Sequence, residues 1–137
     1  MRNSPVDITA RHLLLELHGC DQALLDDRER LRLLMRNAAE AAGAHVVAEV
    51  FHPYAPHGVT GVLVIEESHF SLHTWPEYGY AAIDFYTCGE CAPERAVEVL
   101  KDGLRAERAC LMTVHRGLSR DAGYLRVAEK PDRAGDH

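Results

Sequence analysis

The sequence is poor in lysine and has no long apolar run. Lys101 and Lys130 are its only lysines, one on a charged helical pattern and one in a polar tail, so no lysine is expected to anchor pyridoxal phosphate. No apolar stretch approaches the roughly 20 residues that span a bilayer, and the first residues lack the apolar segment of a signal peptide. These absences predict a cytoplasmic protein that uses neither a membrane nor pyridoxal phosphate.

Basic residues are also outnumbered and scattered. The chain of 137 residues carries 15 Lys and Arg against 21 Asp and Glu, a formal net charge of −6. Nucleic-acid binders need a basic patch, so nucleic acid is not an expected partner. Apolar residues make up 47% of the chain, which is typical of a globular domain. We therefore expect a single domain over residues 1–137, with a flexible tail at about 128–137.

Cysteine is present without the full pattern of a structural metal site. Cys88 and Cys91 form a C-x-x-C, and His69 and His73 have H-x3-H spacing, so a zinc site or a redox pair stays open as an alternative. A second C-x-x-C is missing, and we expect no metal. In a reducing compartment the cysteines are expected to be free thiols.

Hydrophobic periodicity predicts a mixed fold. Leu13, Leu15 and Leu17 alternate with polar residues, which indicates a first strand over 11–20, and a helix over 21–44 ends at Gly43. Further strands are predicted over 45–51, 61–68, 69–75, 80–88 and 109–115, with a second helix over 94–106. The order β-α-β-β-β-β-α-β predicts an α+β two-layer sandwich whose two helices cover one face of a mainly antiparallel sheet. The other face then needs solvent or a second subunit, and we favour a homodimer.

Reactive side chains concentrate in one short segment. On an extended chain Glu67, His69, Ser71 and His73 share one face, which is costly to bury without a purpose. A hydrolase with Ser68 as nucleophile is disfavoured, because the chain has no G-x-S-x-G elbow and the serine lies in a predicted strand.

The segment ESHFSLHTWPEYGYAAIDFYTCG, residues 67–89, closely resembles the signature of the prokaryotic S-adenosylmethionine decarboxylase proenzymes. The likeness extends back through FHPYAPHGVTGVLVI and RHLLLELHGCD and covers roughly residues 10 to 115. It implies a pyruvoyl-dependent enzyme of the short single-domain class. Such an enzyme converts S-adenosylmethionine to decarboxylated S-adenosylmethionine for spermidine synthesis, as a homodimer of processed αβ protomers.

The resemblance implies that the chain cuts itself between Glu67 and Ser68. The hydroxyl of Ser68 attacks the carbonyl of Glu67 to give an ester. Elimination then leaves dehydroalanine, which hydrolyses to a pyruvoyl group at position 68 and ammonia. The products are a β chain, residues 1–67, and an α chain, residues 68–137, whose ketone forms a Schiff base with the substrate amine.

Further roles follow from the same resemblance. His73 assists the proton removal of processing, and Thr60 supports cleavage with a hydroxyl where the family more often has the serine of GVSG. Cys88 protonates the decarboxylated carbon. Trp75 and Tyr54 match the pair of rings that sandwiches adenine, although phenylalanine is commoner at position 54.

Glu77 matches the acid that binds the ribose hydroxyls in the family. A pyruvoyl decarboxylase of ornithine or arginine would keep the processing residues but has less use for Trp75 and Glu77, so their presence favours the nucleoside substrate. A non-catalytic dimeric binding module is a further alternative. It is disfavoured because every position that matches a reactive residue of the family holds a reactive residue here.

Overall fold

The structure is a computed structural model that describes residues 8–118 and the backbone of residues 125–132. Its strands are β1 (Ile8–His18), β2 (Val46–Pro53), β3 (Val59–Ile65), β4 (Ser68–Trp75), β5 (Tyr80–Cys88), β6 (Arg108–Leu118) and β7 (Leu125–Asp132). Its helices are α1 (Gln22–Leu25), α2 (Arg28–Ala41) and α3 (Pro93–Gly103), with a 3-10 turn at Pro76–Tyr78. Among these residues, no helix is long and apolar enough to cross a bilayer.

All strands of the described residues form one antiparallel sheet. The spatial order is β2-β3-β4-β5-β1-β6-β7, so β1 lies between β5 and β6. The strands from β2 to β5 are consecutive neighbours because short turns connect them. The predicted α+β class with a mainly antiparallel sheet is confirmed.

The helices pack on one face of this sheet, as predicted. Leu13, Leu15 and Leu17 of β1 are at most 2% exposed, and Phe70 and Leu72 of β4 are fully buried. They form one core with the apolar sides of α2 and α3: Leu31, Met35, Ala38, Ala39, Ala96, Val97 and Leu100. Each buried large side chain contributes about 1.5–3 kcal/mol relative to exposure. We call this side of the sheet the helix face.

The opposite side, the open face, carries the alternate residues of each strand. No helix covers it within residues 8–118. Leu14, Val50 and Val64 are 36%, 67% and 46% exposed there. An antiparallel sheet can leave one face to solvent, but exposed apolar side chains on several strands are typical of an interaction surface.

The first helix differs from its prediction. A single helix was expected over 21–44, but the structure breaks it at Asp26 and Asp27 into α1 and α2. The cause is local: Asp27 accepts a hydrogen bond from the backbone N–H of Arg30 and so begins a new helix, as a good N-cap residue does. The predicted end is confirmed, since Gly43 follows the helix with a φ of +82°.

The C-terminal region contains a strand, β7, that the sequence analysis does not predict. This strand pairs with β6. The expected flexible tail, about residues 128–137, therefore begins inside a strand. Residues 133–137 lie outside the described part of the chain.

Candidate active site

The peptide bond between Glu67 and Ser68 lies in the hairpin that joins β3 to β4. Ile65 pairs with Ser68, so Glu66 and Glu67 form a tight turn and Ser68 begins β4. Ser68 has a φ of +141°, a region that non-glycine residues rarely occupy. Such backbone strain is found at functional sites, where the surrounding structure holds it in place.

Cys88, at the end of β5, contacts this peptide from the neighbouring strand. Its backbone N–H donates to the carbonyl oxygen of Glu67 at 3.0 Å, and its thiol donates to the same oxygen at 3.5 Å. The sulfur also lies 3.8 Å from Oγ of Ser68. The structure therefore brings together three of the predicted groups: the carbonyl at the cleavage site, the serine hydroxyl and the thiol. We call these residues the cleavage half-site.

A second group of predicted residues lies at the other end of β4. Thr60 of β3 is the direct partner of His73, and Oγ1 of Thr60 lies 3.0 Å from Nδ1 of His73. The hydroxyl of Tyr54 donates to the same Thr60 oxygen at 3.1 Å. The tyrosine hydroxyl thus has a partner, although phenylalanine is the commoner residue in the family pattern.

These residues line a cavity of about 370 Å³. The wall is formed by Tyr54, His57, Gly58, Thr60, His73, Thr74, Trp75 and Glu77. All three residues predicted to bind the substrate therefore line one cavity, together with both residues predicted to assist processing. We call this set the cavity half-site.

Two contacts in the cavity half-site were not foreseen from the sequence. Nε2 of His57 lies 3.6 Å from a carboxylate oxygen of Glu77, with both side chains about 40% exposed. One face of the Trp75 ring stacks on Tyr80, with centroids 5.2 Å apart, so the other face is the one open to a ligand. The hydroxyl of Tyr80 in turn donates to Glu16. Burial and this contact raise the pKa of Tyr80 to about 12, so the phenol stays protonated.

The two half-sites do not meet within one chain. Ser68 and His73 are five residues apart on the same strand, which at roughly 3.3 Å per residue separates their Cα atoms by about 16 Å. Thr60 and His73 face the open side of the sheet, and so does Cys88 of the cleavage half-site, because each alternates with buried neighbours. A single chain thus places the predicted processing base out of reach of the serine.

A polar cluster separates the half-sites on the open face. Asp84 of β5 accepts hydrogen bonds from Ser71, from Nε2 of His12 at 2.6 Å and from Nε2 of His69 at 3.3 Å. Burial opposes ionisation of this carboxylate, but the hydrogen bonds from Ser71, His12 and His69 hold the pKa of Asp84 below its usual value. The guanidinium of Arg116, which can only donate hydrogen bonds, lies 3.3 Å from Nδ1 of His12. Nδ1 is therefore the acceptor, and the single proton of a neutral His12 imidazole is on Nε2.

The geometry of the described residues does not support the alternative of a zinc site. His69 and His73 are about 13 Å apart along β4, so they cannot hold one ion together. His69 instead joins His12 and Asp84, whose potential ligand atoms lie within 4.8 Å of one another. In that cluster the proton on Nε2 of His12 occupies the position that a metal would need. Cys88 and Cys91 are free thiols.

Comparison with known proteins identifies the family. The family model for S-adenosylmethionine decarboxylase matches residues 11–117. The chain belongs to this family. The S-adenosylmethionine decarboxylase proenzyme of Thermotoga maritima is 48% identical over 108 residues, which cover 78% of this chain and 83% of the relative. The proenzyme of Methanococcus maripaludis is 43% identical over 112 residues, covering 81% and 92%.

A solved structure of the family supports the fold. The crystal structure of the adenosylmethionine decarboxylase from Aquifex aeolicus VF5 matches with a TM-score of 0.72 at 34% sequence identity. The match covers 77% of this chain and 88% of that one. The resemblance seen in the sequence is therefore confirmed.

Proposed function

We propose that the chain is a self-processing decarboxylase that converts S-adenosylmethionine to decarboxylated S-adenosylmethionine for spermidine synthesis. The observation that carries the proposal is the contact of the Glu67 carbonyl, the Ser68 hydroxyl and the Cys88 thiol in a chain of this family. A cytoplasmic location agrees with the four free cysteines.

The residues of the cleavage half-site fit the formation of a pyruvoyl group at position 68. The N–H and S–H of Cys88 point at the carbonyl oxygen of Glu67, where negative charge develops when the Ser68 hydroxyl attacks the carbonyl carbon. The peptide nitrogen is released as the ester forms. Loss of the Cα proton of Ser68 then breaks the bond between Cβ and Oγ of residue 68, and Glu67 leaves as a carboxylate. Water replaces the nitrogen of the resulting dehydroalanine, which releases ammonia and leaves the ketone.

The base for this proton removal comes from a second copy of the chain. His73 lies about 16 Å along β4 from the serine of its own chain and cannot reach that Cα proton. The half-sites lie at opposite ends of β4 on the open face. A two-fold axis between two such faces, at the level of Ser71, places each cavity half-site against the partner's cleavage half-site. A homodimer therefore completes two active sites and covers the exposed Leu14, Val50 and Val64.

The cavity half-site has the chemistry to hold a nucleoside. The rings of Tyr54 and Trp75 offer π faces to adenine and to the sulfonium cation, for which cation–π attraction contributes about 0.5–2 kcal/mol. The carboxylate of Glu77 accepts hydrogen bonds from ribose hydroxyls, and His57 holds it at the cavity wall. Ornithine and arginine lack both the base and the ribose, so this cavity favours S-adenosylmethionine.

The pyruvoyl group, once formed, supplies the ketone that takes the substrate amine and draws electrons from the bond to the departing carboxylate. The proposal uses neither a metal nor pyridoxal phosphate. Cys88 lies against position 68 and is placed to return a proton to the substrate carbon. One thiol thus serves both the cleavage of the chain and the reaction that follows.

Intact-mass spectrometry of the purified protein tests the proposal. We expect two fragments, residues 1–67 and 68–137, with the second lighter than a serine-headed fragment by one molecule of ammonia. The Ser68→Ala variant, as control, is expected to stay whole and to release no carbon dioxide from S-adenosylmethionine. A wild-type chain that stays whole and inactive after long incubation indicates the binding module instead. A wild-type chain that stays whole yet releases carbon dioxide contradicts the pyruvoyl mechanism.

A further inference from the structure

His45, just before β2, holds the hairpin that contains the cleavage site. Its backbone carbonyl accepts from the N–H of Glu66 at 2.8 Å. Its own N–H and its Nδ1 donate to the two carboxylate oxygens of Glu67, at 3.1 and 2.8 Å. Glu67 is therefore fixed through its side chain on one side and through its carbonyl, by Cys88, on the other.

We propose that His45 is a positioning residue for self-cleavage, which holds the side chain of Glu67 so that its carbonyl stays against Cys88 and before the Ser68 hydroxyl. This inference rests on the proposed function. The backbone of Ser68 is strained at a φ of +141°, and such a conformation persists only where its neighbours are held. Without the contact to His45, rotation of the Glu67–Ser68 peptide can relieve this strain and take the carbonyl away from its donors.

The contact between His45 and Glu67 is an ion pair as well as a hydrogen bond. The hydrogen bond to Glu67, and then its charge, raise the pKa of His45 above the usual value. Burial opposes the ionisation of Glu67, but the hydrogen bonds from His45 hold the pKa of that carboxyl below its usual value. Both groups are charged between the lowered pKa of Glu67 and the raised pKa of His45. The charge of His45 is lost as the pH rises through its raised pKa.

Other titratable groups lie near the pair of His45 and Glu67, and the pH test must distinguish their titration from that of His45. Glu66 adds negative charge beside His45 and favours the imidazolium. On the opposite side lie the thiols of Cys88 and Cys91, and burial, with a smaller effect of the Glu67 charge, raises the pKa of Cys91. The turn that precedes His45 is Ala42-Gly43-Ala44 and has no titratable side chain. Only His45 itself is changed by the variants below, so a difference between their pH profiles reports on its charge.

The test compares His45→Ala with His45→Asn, whose amide nitrogen occupies the place of Nδ1 and donates without a charge. Full-length chains are made by pulsed cell-free synthesis, and cleavage is followed by denaturing electrophoresis between about pH 5 and 8. We expect His45→Ala to slow cleavage by about two- to fivefold, because a hydrogen bond between charged groups is lost and the 75% exposure of the imidazole limits the strength of that contact. We expect His45→Asn to recover much of the rate and to lose the decline that the wild type shows as His45 deprotonates. His115→Ala removes an exposed histidine of β6 as a control.

Further readouts separate positioning from folding. Fully cleaved His45→Ala is expected to match the wild type in decarboxylation rate per pyruvoyl group and in melting temperature. If the His45→Ala chain is cleaved at the wild-type rate, the inference is wrong. Slow cleavage that His45→Asn does not relieve and that accompanies a lowered melting temperature also overturns it. If the wild-type chain itself is never cleaved, the proposed function fails, and not only the role of His45.

Discussion

Two residues that depart from the family pattern contact each other. Tyr54 stands where phenylalanine is commoner, and Thr60 stands where serine is commoner. The hydroxyl of Tyr54 donates to Oγ1 of Thr60 at 3.1 Å, and the same oxygen lies 3.0 Å from Nδ1 of His73. The extra methyl of threonine restricts its rotamers, and the tyrosine selects the one that faces His73. We expect the two departures to compensate each other.

We expect Tyr54→Phe to slow self-cleavage about two- to fivefold, because a hydrogen bond of neutral groups is lost while the ring is kept. The double variant Tyr54→Phe/Thr60→Ser carries the commoner pair and is expected to cleave faster than Tyr54→Phe alone. Cleavage is followed by pulsed synthesis and electrophoresis, with Tyr78→Phe as the control, since that ring is 76% exposed. Equal rates for Tyr54→Phe and the wild type contradict this coupling.

Resemblance assigns roles to Tyr54, Thr60 and His73, but the sequence predicts no contact among them. Tyr54, Thr60 and His73 lie on a loop and two consecutive strands, so their grouping follows from one hairpin. The cluster of His12 and Asp84 was not predicted, because its members are 72 residues apart. Only the register of β1 against β5 brings them together, and the alternation within each strand does not reveal which strands pair. His45 was missed for the same reason, since its partner is 22 residues away on another hairpin.

At the scale of elements, the break between α1 and α2 could not be predicted from the spacing of apolar residues. Leu25 and Leu31 are both fully or nearly fully buried, so the apolar pattern continues across the break. The carboxylate of Asp26 accepts the N–H of Gly58, and Asp27 caps α2. Asp26 thus connects the helical layer to the loop that carries Tyr54. A cap and a tertiary contact, and not a change of hydrophobicity, end one helix and begin the next.

We expect Asp27→Ala to lower the free energy of unfolding by about 1 kcal/mol, because the first turn of α2 loses its side-chain acceptor. Urea unfolding is measured in the uncleaved Ser68→Ala background at a fixed protein concentration, so that a single species unfolds. Glu40→Ala is the matched control, since it removes the same charge near the other end of the helix, where an acid is unfavourable. An equal loss of stability in both variants shows that the effect of Asp27 is not specific to the first turn of α2 and contradicts the capping role.

At the scale of the whole molecule, the prediction has the right two layers, helices on an antiparallel sheet, but it lacks the edge strand β7. The helices and the antiparallel sheet follow from alternation and helical spacing, but β7 does not. Its segment LRVAEKPD is polar and contains Pro131, so no alternation marks it as a strand. Its pairing with β6 at the edge of the sheet is a backbone interaction, and an edge is where a strand tolerates proline.

The open face is the second feature that belongs to the whole molecule. If two chains pair through it, co-expression of two variants can test the proposed dimer. In a two-chain site, Ser68 of one chain is processed by His73 of the other. We expect that the Ser68→Ala chain alone is not cleaved and that the His73→Ala chain alone is cleaved slowly or not at all. Co-expression creates heterodimers in which the intact Ser68 of the His73→Ala chain faces the intact His73 of the Ser68→Ala chain.

We therefore expect the His73→Ala chain to be cleaved when it is co-expressed with the Ser68→Ala chain. Random pairing of equal amounts makes half of the dimers mixed, each with one intact site, so about a quarter of wild-type decarboxylase activity is expected. Tags of different size identify the cleaved chain by electrophoresis and show that mixed dimers form. Replacing the partner by Ser68→Ala/His73→Ala removes the one intact His73 of the mixed dimer and is expected to abolish the rescue. If mixed dimers form and the His73→Ala chain stays uncut, His73 does not act across the interface, and the separation of the half-sites along β4 needs another explanation.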